Sequence, residues 1–163
     1  MLFFSRYAFF LYGIVFILVS CAKVVDKNEY KLVKIKNYMV LPFRNYTDTP
    51  LAGYKVASMV EGIMRVKGYE VVDSELGRER DIYKEGLEKV IRSVRKGVDY
   101  IVTGTVSEYE YKVGVEGEPV VSFTIYVIDT ATGRVVKSAT LSAQGSSYDS
   151  LGTITQKLLR EFF

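Results

Sequence analysis

The residue with the clearest chemical role is Cys21, the only cysteine among 163 residues. A lone thiol cannot form an internal disulfide or a paired-cysteine metal site. It follows an apolar run, Tyr7 to Val19, that has a single cation, Arg6, before it. This run is shorter than the roughly 20 apolar residues of a membrane-spanning helix, and it fits the apolar core of an export signal. At the end of such a signal, a thiol can serve as a lipid attachment point.

The segment Leu18-Val19-Ser20-Cys21-Ala22 resembles the bacterial lipobox, in which a small residue precedes a cysteine that is acylated and becomes the new amino terminus. The resemblance implies a signal peptide over residues 1–20, then a lipidated amino terminus with a short tether over residues 21–36. It also implies the periplasmic face of the outer membrane, because Asp after the cysteine favours the inner membrane and Ala22 stands there. An uncleaved anchor with an incidental cysteine is the alternative.

Carboxylates cluster loosely around the start of the second predicted helix, at Asp73, Glu75, Glu79 and Asp81. A carboxylate pair could hydrolyse a cell-wall polymer, and Glu75 and Glu79 are the candidates for that alternative. Such runs more often open a helix, where acids interact favourably with its dipole. The chain has no His, which removes the Ser-His triad and the usual zinc and haem ligand. We expect no catalytic residue, no metal and no cofactor.

Two groups of residues are candidates for contact with a partner. Arg44, Asn45 and Tyr46 follow the first predicted central strand and precede a helix, where α/β proteins often bind ligands and where anions are favoured. Turn chemistry with a helix cap is the alternative for this loop. The second group, on neighbouring predicted strands, could form an aromatic contact surface or pack within the sheet: Tyr109, Tyr111 and Tyr126.

The amino-terminal half of the domain alternates strands and helices. Residues 38–41 are continuously apolar, which predicts a strand buried on both faces. Thr49 and Pro50 predict a helix cap and first helical position, and Gly68 predicts the end of that helix. A short strand over residues 69–73 and a helix over about 79–96 follow.

The carboxyl-terminal half predicts a meander of three long strands and a final amphipathic helix. The strands cover residues 99–113, 121–127 and 134–143, and a tight loop ends at Gly133. A change of apolar parity predicts a β-bulge near Ser107. The order strand–helix–strand–helix–strand–strand–strand–helix predicts a single α/β domain with a mixed five-stranded sheet.

Composition agrees with one folded domain and limits its partners. The formal net charge is +3, and it falls to +2 once Arg6 leaves with the signal. A charge this small does not indicate a nucleic-acid partner.

Four segments in order resemble the curli-secretion (CsgG-like) and penicillin-binding-protein-activator (LpoB-like) lipoproteins, and more distantly the TolB amino-terminal domain. They are residues 40–47 with Gly53 and Ala57, then 68–73, 99–106 and 128–135. The resemblance implies a non-enzymatic periplasmic α/β domain over residues 37–163 that contacts other envelope proteins. No insertion is long enough for transmembrane hairpins, and the tether is short.

This resemblance implies an envelope adaptor near its own membrane. The adaptor would meet an unidentified envelope protein and could self-associate. The alternative is a structural subunit of an oligomeric outer-membrane secretion or envelope complex.

Overall fold

The computed structural model describes residues 23–26, 30–72, 86–94, 96–112 and 117–163. Within these ranges the chain forms three helices and seven strands. The helices are α1 (Ala52–Val66), α2 (Leu87–Val94) and α3 (Leu151–Phe162). The strands are β1 (Lys23–Asp26), β2 (Asn37–Val40), β3 (Arg44–Asn45), β4 (Glu70–Val71), β5 (Tyr100–Tyr111), β6 (Pro119–Asp129) and β7 (Val135–Gln144).

The described strands form one mixed sheet in the order β1-β7-β6-β5-β2-β4, with β3 also paired to β5. Strand β2 lies parallel to β4 and β5, and β3 is parallel to β5. The pairs β5–β6, β6–β7 and β1–β7 are antiparallel. The predicted single α/β domain with a mixed sheet is confirmed. The sheet contains the five predicted strands and two additional short strands, β1 and β3.

The long meander has the predicted irregularity. The β5–β6 register shifts between Val106 and Glu108, and the Ser107 hydroxyl donates to the Ser122 carbonyl at 3.2 Å. The extra residue brings Val106 and Tyr109 to the same face of the sheet, although they are three positions apart. Gly133, at φ 72°, ends the loop before β7 in the left-handed conformation that glycine adopts without strain.

The main core lies between one face of the sheet and the helices α1 and α3. Strand β6 contributes Val121, Phe123, Ile125 and Val127, which alternate with residues on the opposite face. Helix α3 contributes the predicted apolar stripe, and its cap is Ser150, whose hydroxyl accepts from the Thr153 amide at 3.0 Å. The helices therefore cover the apolar face of the meander.

A smaller cluster on the opposite face explains why β2 is continuously apolar. Met39 and Leu41 pack there against helix α2, while Tyr38 and Val40 face the main core. Of the described residues of the predicted second helix, 87–94 are helical, whereas Gly86 has a positive φ of 83° and residue 96 lies in a turn. The strand is buried on both faces, as the sequence predicts for a central parallel strand.

The tether predicted over residues 21–36 is wrong in its described part. Residues 23–26 form β1 on β7. Downstream, Leu32 is buried, and the Tyr30 and Tyr100 hydroxyls are hydrogen bonded at 2.8 Å. The Tyr38 hydroxyl also donates to the Val33 carbonyl at 3.0 Å. The folded domain therefore begins before residue 37, because Leu32, between Lys31 and Lys34, packs into the main core, whereas Val33 and Ile35 are exposed.

Candidate functional site

A loop between β2 and α1 holds three of the predicted contact residues at the edge of the meander. Arg44 and Asn45 form β3, opposite Thr105 and Val106 of β5. The Tyr46 amide then donates to the Val106 carbonyl at 2.9 Å. We call residues 44–54 the contact loop. Its first three residues are fixed to the longest strand of the sheet.

Asn45 organises the middle of the contact loop. Its Oδ1 accepts from the Thr47 amide at 3.0 Å and from the Thr47 hydroxyl at 2.8 Å. Its Nδ2 donates to the Thr49 carbonyl at 2.8 Å. This is the asparagine turn expected for such a residue, and it supports the turn interpretation of this segment. One side chain thus bonds three groups within four residues and restrains the loop.

The predicted cap at Thr49 and Pro50 is wrong, and the helix begins later. Helix α1 starts at Ala52, and the residue before it, Leu51, has no side-chain bond to the helix. The Thr49 hydroxyl instead donates to the Tyr109 carbonyl at 2.6 Å. Since a cap accepts from amides two or three residues after it, Thr49 lies too early in the chain to cap a helix that starts at Ala52.

Leu51 has an unusual backbone conformation for its residue type. It lies at φ 60° and ψ 19°, and it is the one non-glycine residue with positive φ in the described ranges. For an L-residue with a side chain this conformation costs about 1–2 kcal/mol. Its side chain is also 64% exposed. Burial of the side chain within the monomer therefore does not compensate for the strained backbone. This marks Leu51 as a candidate functional residue.

The contact loop presents large apolar groups to solvent. Tyr46 is 61% exposed and Tyr54, in the first turn of α1, is 47% exposed. The Arg44 guanidinium lies 4.9 Å from the centroid of the Tyr46 ring. We use the name knob for the three exposed large side chains of this segment, Tyr46, Leu51 and Tyr54. Exposed aromatic and aliphatic side chains on a restrained loop are typical of protein contacts.

The three predicted contact tyrosines do not form one surface. Tyr109 is 4% exposed and belongs to the main core, so it is not a contact residue. Tyr126 is half-buried on the opposite face, against the smaller cluster. Tyr111 is 50% exposed at the end of β5. The β-bulge places Tyr109 under α3, and burial raises its pKa.

A groove between the end of β7 and α3 lies on the other flank of the domain. Its volume is about 220 Å³, and it is lined by Ala143, Gln144, Gly145, Asp149, Ile154, Lys157, Leu158 and Glu161. The Lys157 ammonium lies 3.0 Å from the Asp149 carboxylate, which also accepts from the Ser146 amide and hydroxyl. These bonds, that of Lys157 foremost, lower the pKa of Asp149 to about 2.

The sequence indicated neither the groove nor two residues of the knob. Those two knob residues, Leu51 and Tyr54, carry no motif, and the groove joins segments that meet only in the folded chain. The acidic candidates Asp73, Glu75, Glu79 and Asp81, and Cys21 with its lipobox, lie outside the described residues. Within the described ranges no group of three potential metal ligands occurs. None of the described helices combines the length and apolar character needed to cross a bilayer.

Comparison with solved structures finds this fold in other bacterial proteins. A PelC dodecamer from Paraburkholderia phytofirmans has a TM-score of 0.71 and 28% identity, over 86% of this chain and 93% of that one. Lipoprotein GNA1162 from Neisseria meningitidis has a TM-score of 0.59 and 18% identity, over 78% of this chain and 97% of that one.

The LpoB C-terminal domain from Salmonella enterica has a TM-score of 0.51 and 17% identity, over 69% of this chain and 84% of that one. The expected likeness to LpoB is thereby confirmed for the fold. The likeness to the curli-secretion and TolB proteins stays a prediction. No protein-family model matches the chain, and no curated protein sequence is significantly similar to it.

Proposed function

We infer that this chain is a non-enzymatic, lipid-anchored envelope protein that works by protein contact and assembles with copies of itself. It is held at the periplasmic face of the outer membrane by acyl chains on Cys21. The observation that carries the proposal is the contact loop, which keeps Tyr46 and Leu51 exposed on a restrained backbone. Fixing apolar groups in advance lowers the entropy lost on binding.

The lipid anchor is supported by the sequence around Cys21. A single cysteine ends an apolar signal-like run and is preceded by the small residue Ser20. Each buried methylene of an acyl chain adds about 0.8 kcal/mol, so two or three chains hold a domain firmly. Because β1 begins at Lys23, only Ala22 separates the cysteine from the sheet. An anchor on Cys21 would keep the domain beside its own membrane.

Self-association is supported by a similar solved structure that is an oligomer. The protein with 28% identity is a dodecamer, and it matches over nearly the whole of its own length. This favours the alternative in which the chain is a structural subunit of an oligomeric outer-membrane secretion or envelope complex. Both versions need the same surface chemistry, because a subunit and an adaptor each bind through exposed apolar groups.

Membrane fractionation of the full chain in a bacterial host tests the anchor. We expect Cys21→Ser to abolish acylation, with intact mass lacking the fatty chains of the wild-type protein. Ser20→Ala is the matched control, because it keeps a small residue before the cysteine. A wild-type product that begins at Met1 and carries no acyl chain would overturn the anchor.

Two further measurements test location and assembly. Ala22→Asp should move the protein from the outer to the inner membrane fraction, if sorting follows the residue after the cysteine. Light scattering of the detergent-solubilised full chain should give a mass several times that of one copy. A monomer at all concentrations would contradict self-association while leaving the anchor intact.

A further inference from the structure

We propose that the end of the sheet farthest from Cys21 carries a docking site for an acidic segment of another envelope protein. The site is centred on Ile35 and Val66, and we call it the lysine-flanked patch. It is defined by Val33, Lys34, Ile35, Lys36, Val66 and Lys67. The inference rests on the anchor and the protein contact of the proposed function, and it names the surface and the chemistry of the partner.

The centre of the patch consists of exposed aliphatic residues. Ile35 is 86% exposed within a turn, and Val66 is 84% exposed at the last position of α1. No other valine, leucine or isoleucine in the described ranges is as exposed as these two. Val33 adds a third aliphatic residue, at 42% exposed. Exposed apolar residues that lie together, rather than singly, are typical of a surface that binds another molecule.

The turn and the end of α1 belong to segments that are bonded to each other. The Glu70 amide, beyond the end of α1, donates to the Lys34 carbonyl at 3.3 Å. The Lys34 ammonium lies 5.8 Å from the centroid of the Tyr69 ring, and a Cβ on Gly68 would lie 3.8 Å from that ammonium. The turn that carries Ile35 therefore adjoins the end of α1.

The turn is restrained before any partner binds. The Val33 carbonyl accepts from the Lys36 amide at 3.2 Å and from the Tyr38 hydroxyl at 3.0 Å. The Lys36 ammonium lies 3.2 Å from the Asp99 carboxylate. Leu32, directly before the turn, is buried in the main core. A restrained apolar group loses less entropy on binding than a mobile one.

The charged groups of the patch and its surroundings are predominantly basic. The two segments, residues 30–37 and 61–70, contain Lys31, Lys34, Lys36, Arg65 and Lys67, with Glu61 and Glu70. Asp99, bonded to Lys36, is a third carboxylate. The groups of α3, β7 and the loop before β7 cancel in pairs: Arg160 with Glu161, Lys137 with the Phe163 carboxylate, and Arg134 with Asp129. The net positive charge favours an acidic partner.

The lysines are chain neighbours of the exposed aliphatic residues. Ile35 lies between Lys34 and Lys36, and Lys67 follows Val66. An apolar centre with a basic rim fits a protein segment in which carboxylates flank aliphatic side chains, because both parts of the surface then find a counterpart. An anionic glycan would pair with the lysines but would bring no aliphatic side chain to the centre. The patch therefore favours an acidic protein over an anionic polymer.

The patch lies at the end of the sheet opposite to the anchor. Strand β1 begins at Lys23, two residues after Cys21, opposite Ser142 near the end of β7. The turn of the patch runs directly into Asn37, at the end where β2, β5 and β7 begin. The stretch of β7 from Val135 to Ser142 spans about 24 Å at about 3.4 Å per residue. Acyl chains on Cys21 would hold one end of the sheet at the membrane and leave the patch directed towards the periplasm.

Site-specific photocrosslinking of the full chain, in the bacterium that produces it, tests the proposal. The photoreactive amino acid p-benzoylphenylalanine replaces Ile35 or Val66 in turn. Tyr148, which is 99% exposed in the loop after β7, is the control position at the anchor end. We expect an adduct with the same protein from Ile35 and from Val66, and no such adduct from Tyr148. Mass spectrometry of the linked peptide should give a segment with Asp or Glu beside aliphatic residues.

Charge reversal supplies the matched pair of variants. Lys34→Glu should lower the yield of the Ile35 adduct about fivefold, because it replaces an attraction at the rim by a repulsion. Lys112→Glu changes the net charge by the same amount directly after the end of β5, so it should leave the yield unchanged. Circular dichroism like that of the wild type in both variants excludes loss of the fold as the cause.

The outcomes separate this inference from the proposed function. An adduct with a glycan, with a second copy of this chain or with a segment free of carboxylates overturns the acidic partner. Equal yields in Lys34→Glu and Lys112→Glu overturn it as well. If neither Ile35 nor Val66 gives an adduct while the wild-type product is acylated and oligomeric, the patch is overturned and the proposed function stands. A product without acyl chains on Cys21 overturns the anchor and, with it, the orientation of the patch.

Discussion

The Thr49 hydroxyl donates a hydrogen bond of 2.6 Å to the backbone carbonyl of Tyr109, which lies 60 residues later in the chain. This bond ties the contact loop to the end of β5, beyond the β-bulge. The bond stabilises this loop locally. Because the loop carries exposed apolar side chains, the bond also helps to set the shape of the surface that they form.

Removing this bond should loosen the contact loop. Thr49→Val keeps the side-chain volume and deletes the hydroxyl, so we expect about 1 kcal/mol less free energy of unfolding in urea. Thr140→Val is the control, since its hydroxyl bonds Thr124 on the solvent-facing side of the sheet at 3.0 Å. An equal loss in both variants would contradict a special role for the bond to Tyr109.

Relieving the strain at Leu51 should separate stability from assembly. Asparagine tolerates the left-handed conformation better than leucine, so Leu51→Asn should raise the free energy of unfolding by up to about 1 kcal/mol. The same change removes the apolar side chain of the knob. We expect half-assembly to need about a tenfold higher concentration, measured by sedimentation. Unchanged assembly would show that Leu51 does not contact a neighbour.

Gly53 should tolerate no side chain, because the backbone of Phe43 lies against it. The Phe43 amide donates to the Gly53 carbonyl at 3.3 Å, and a Cβ on Gly53 would collide with the Phe43 carbonyl. Gly53→Ala should therefore destabilise the domain by about 1–3 kcal/mol.

The matched control for Gly53→Ala lies nine residues later in α1. A Cβ on Gly62 would meet no described atom within 4 Å, so Gly62→Ala should stabilise the helix by about 1 kcal/mol. Thermal unfolding of the two variants should shift in opposite directions. Shifts of the same sign would mean that helix propensity, rather than the close approach of Phe43, decides the outcome at Gly53.

Acid should weaken the loop beside the groove. The bond from Lys157, with those from Ser146, lowers the pKa of Asp149 to about 2 from an ordinary value of 3.8. A lowered pKa contributes stability above pH 4, and the contribution is lost as pH falls from about 4 to about 2. Asp149→Asn should flatten the fall of the unfolding temperature in this range. If the unfolding temperature of this variant fell as steeply as that of the wild type, the Asp149 carboxylate would not be the group responsible.

Alkali should unfold the domain through its buried tyrosines. Burial, with the nearby Tyr100 hydroxyl, raises the pKa of Tyr38 well above its usual 10.0. The unfolded chain ionises first, so the stability present below about pH 10 is lost as pH rises past it. Tyr38→Phe should lose the bond to Val33 at neutral pH and show a shallower alkaline decline. A decline as steep as in the wild type would contradict this role for Tyr38.

The sequence alone determined the features that depend on local pattern. The continuous apolar run at residues 38–41 predicted a strand buried on both faces, and Met39 and Tyr38 do face two different clusters. The parity change predicted the bulge at Ser107, because side chains alternate strictly along a strand. Helix α3 followed from its stripe at helical spacing.

Only the tertiary structure decided which of these residues meet. Tyr109 and Tyr111 look equivalent in sequence, yet one is in the core and the other is half exposed, because α3 covers only the first. Thr49 bonds a strand 60 residues away instead of capping its own helix, and Leu32 packs into the core from a segment rich in lysine. Long-range neighbours are set by strand order and helix packing, which local periodicity does not encode.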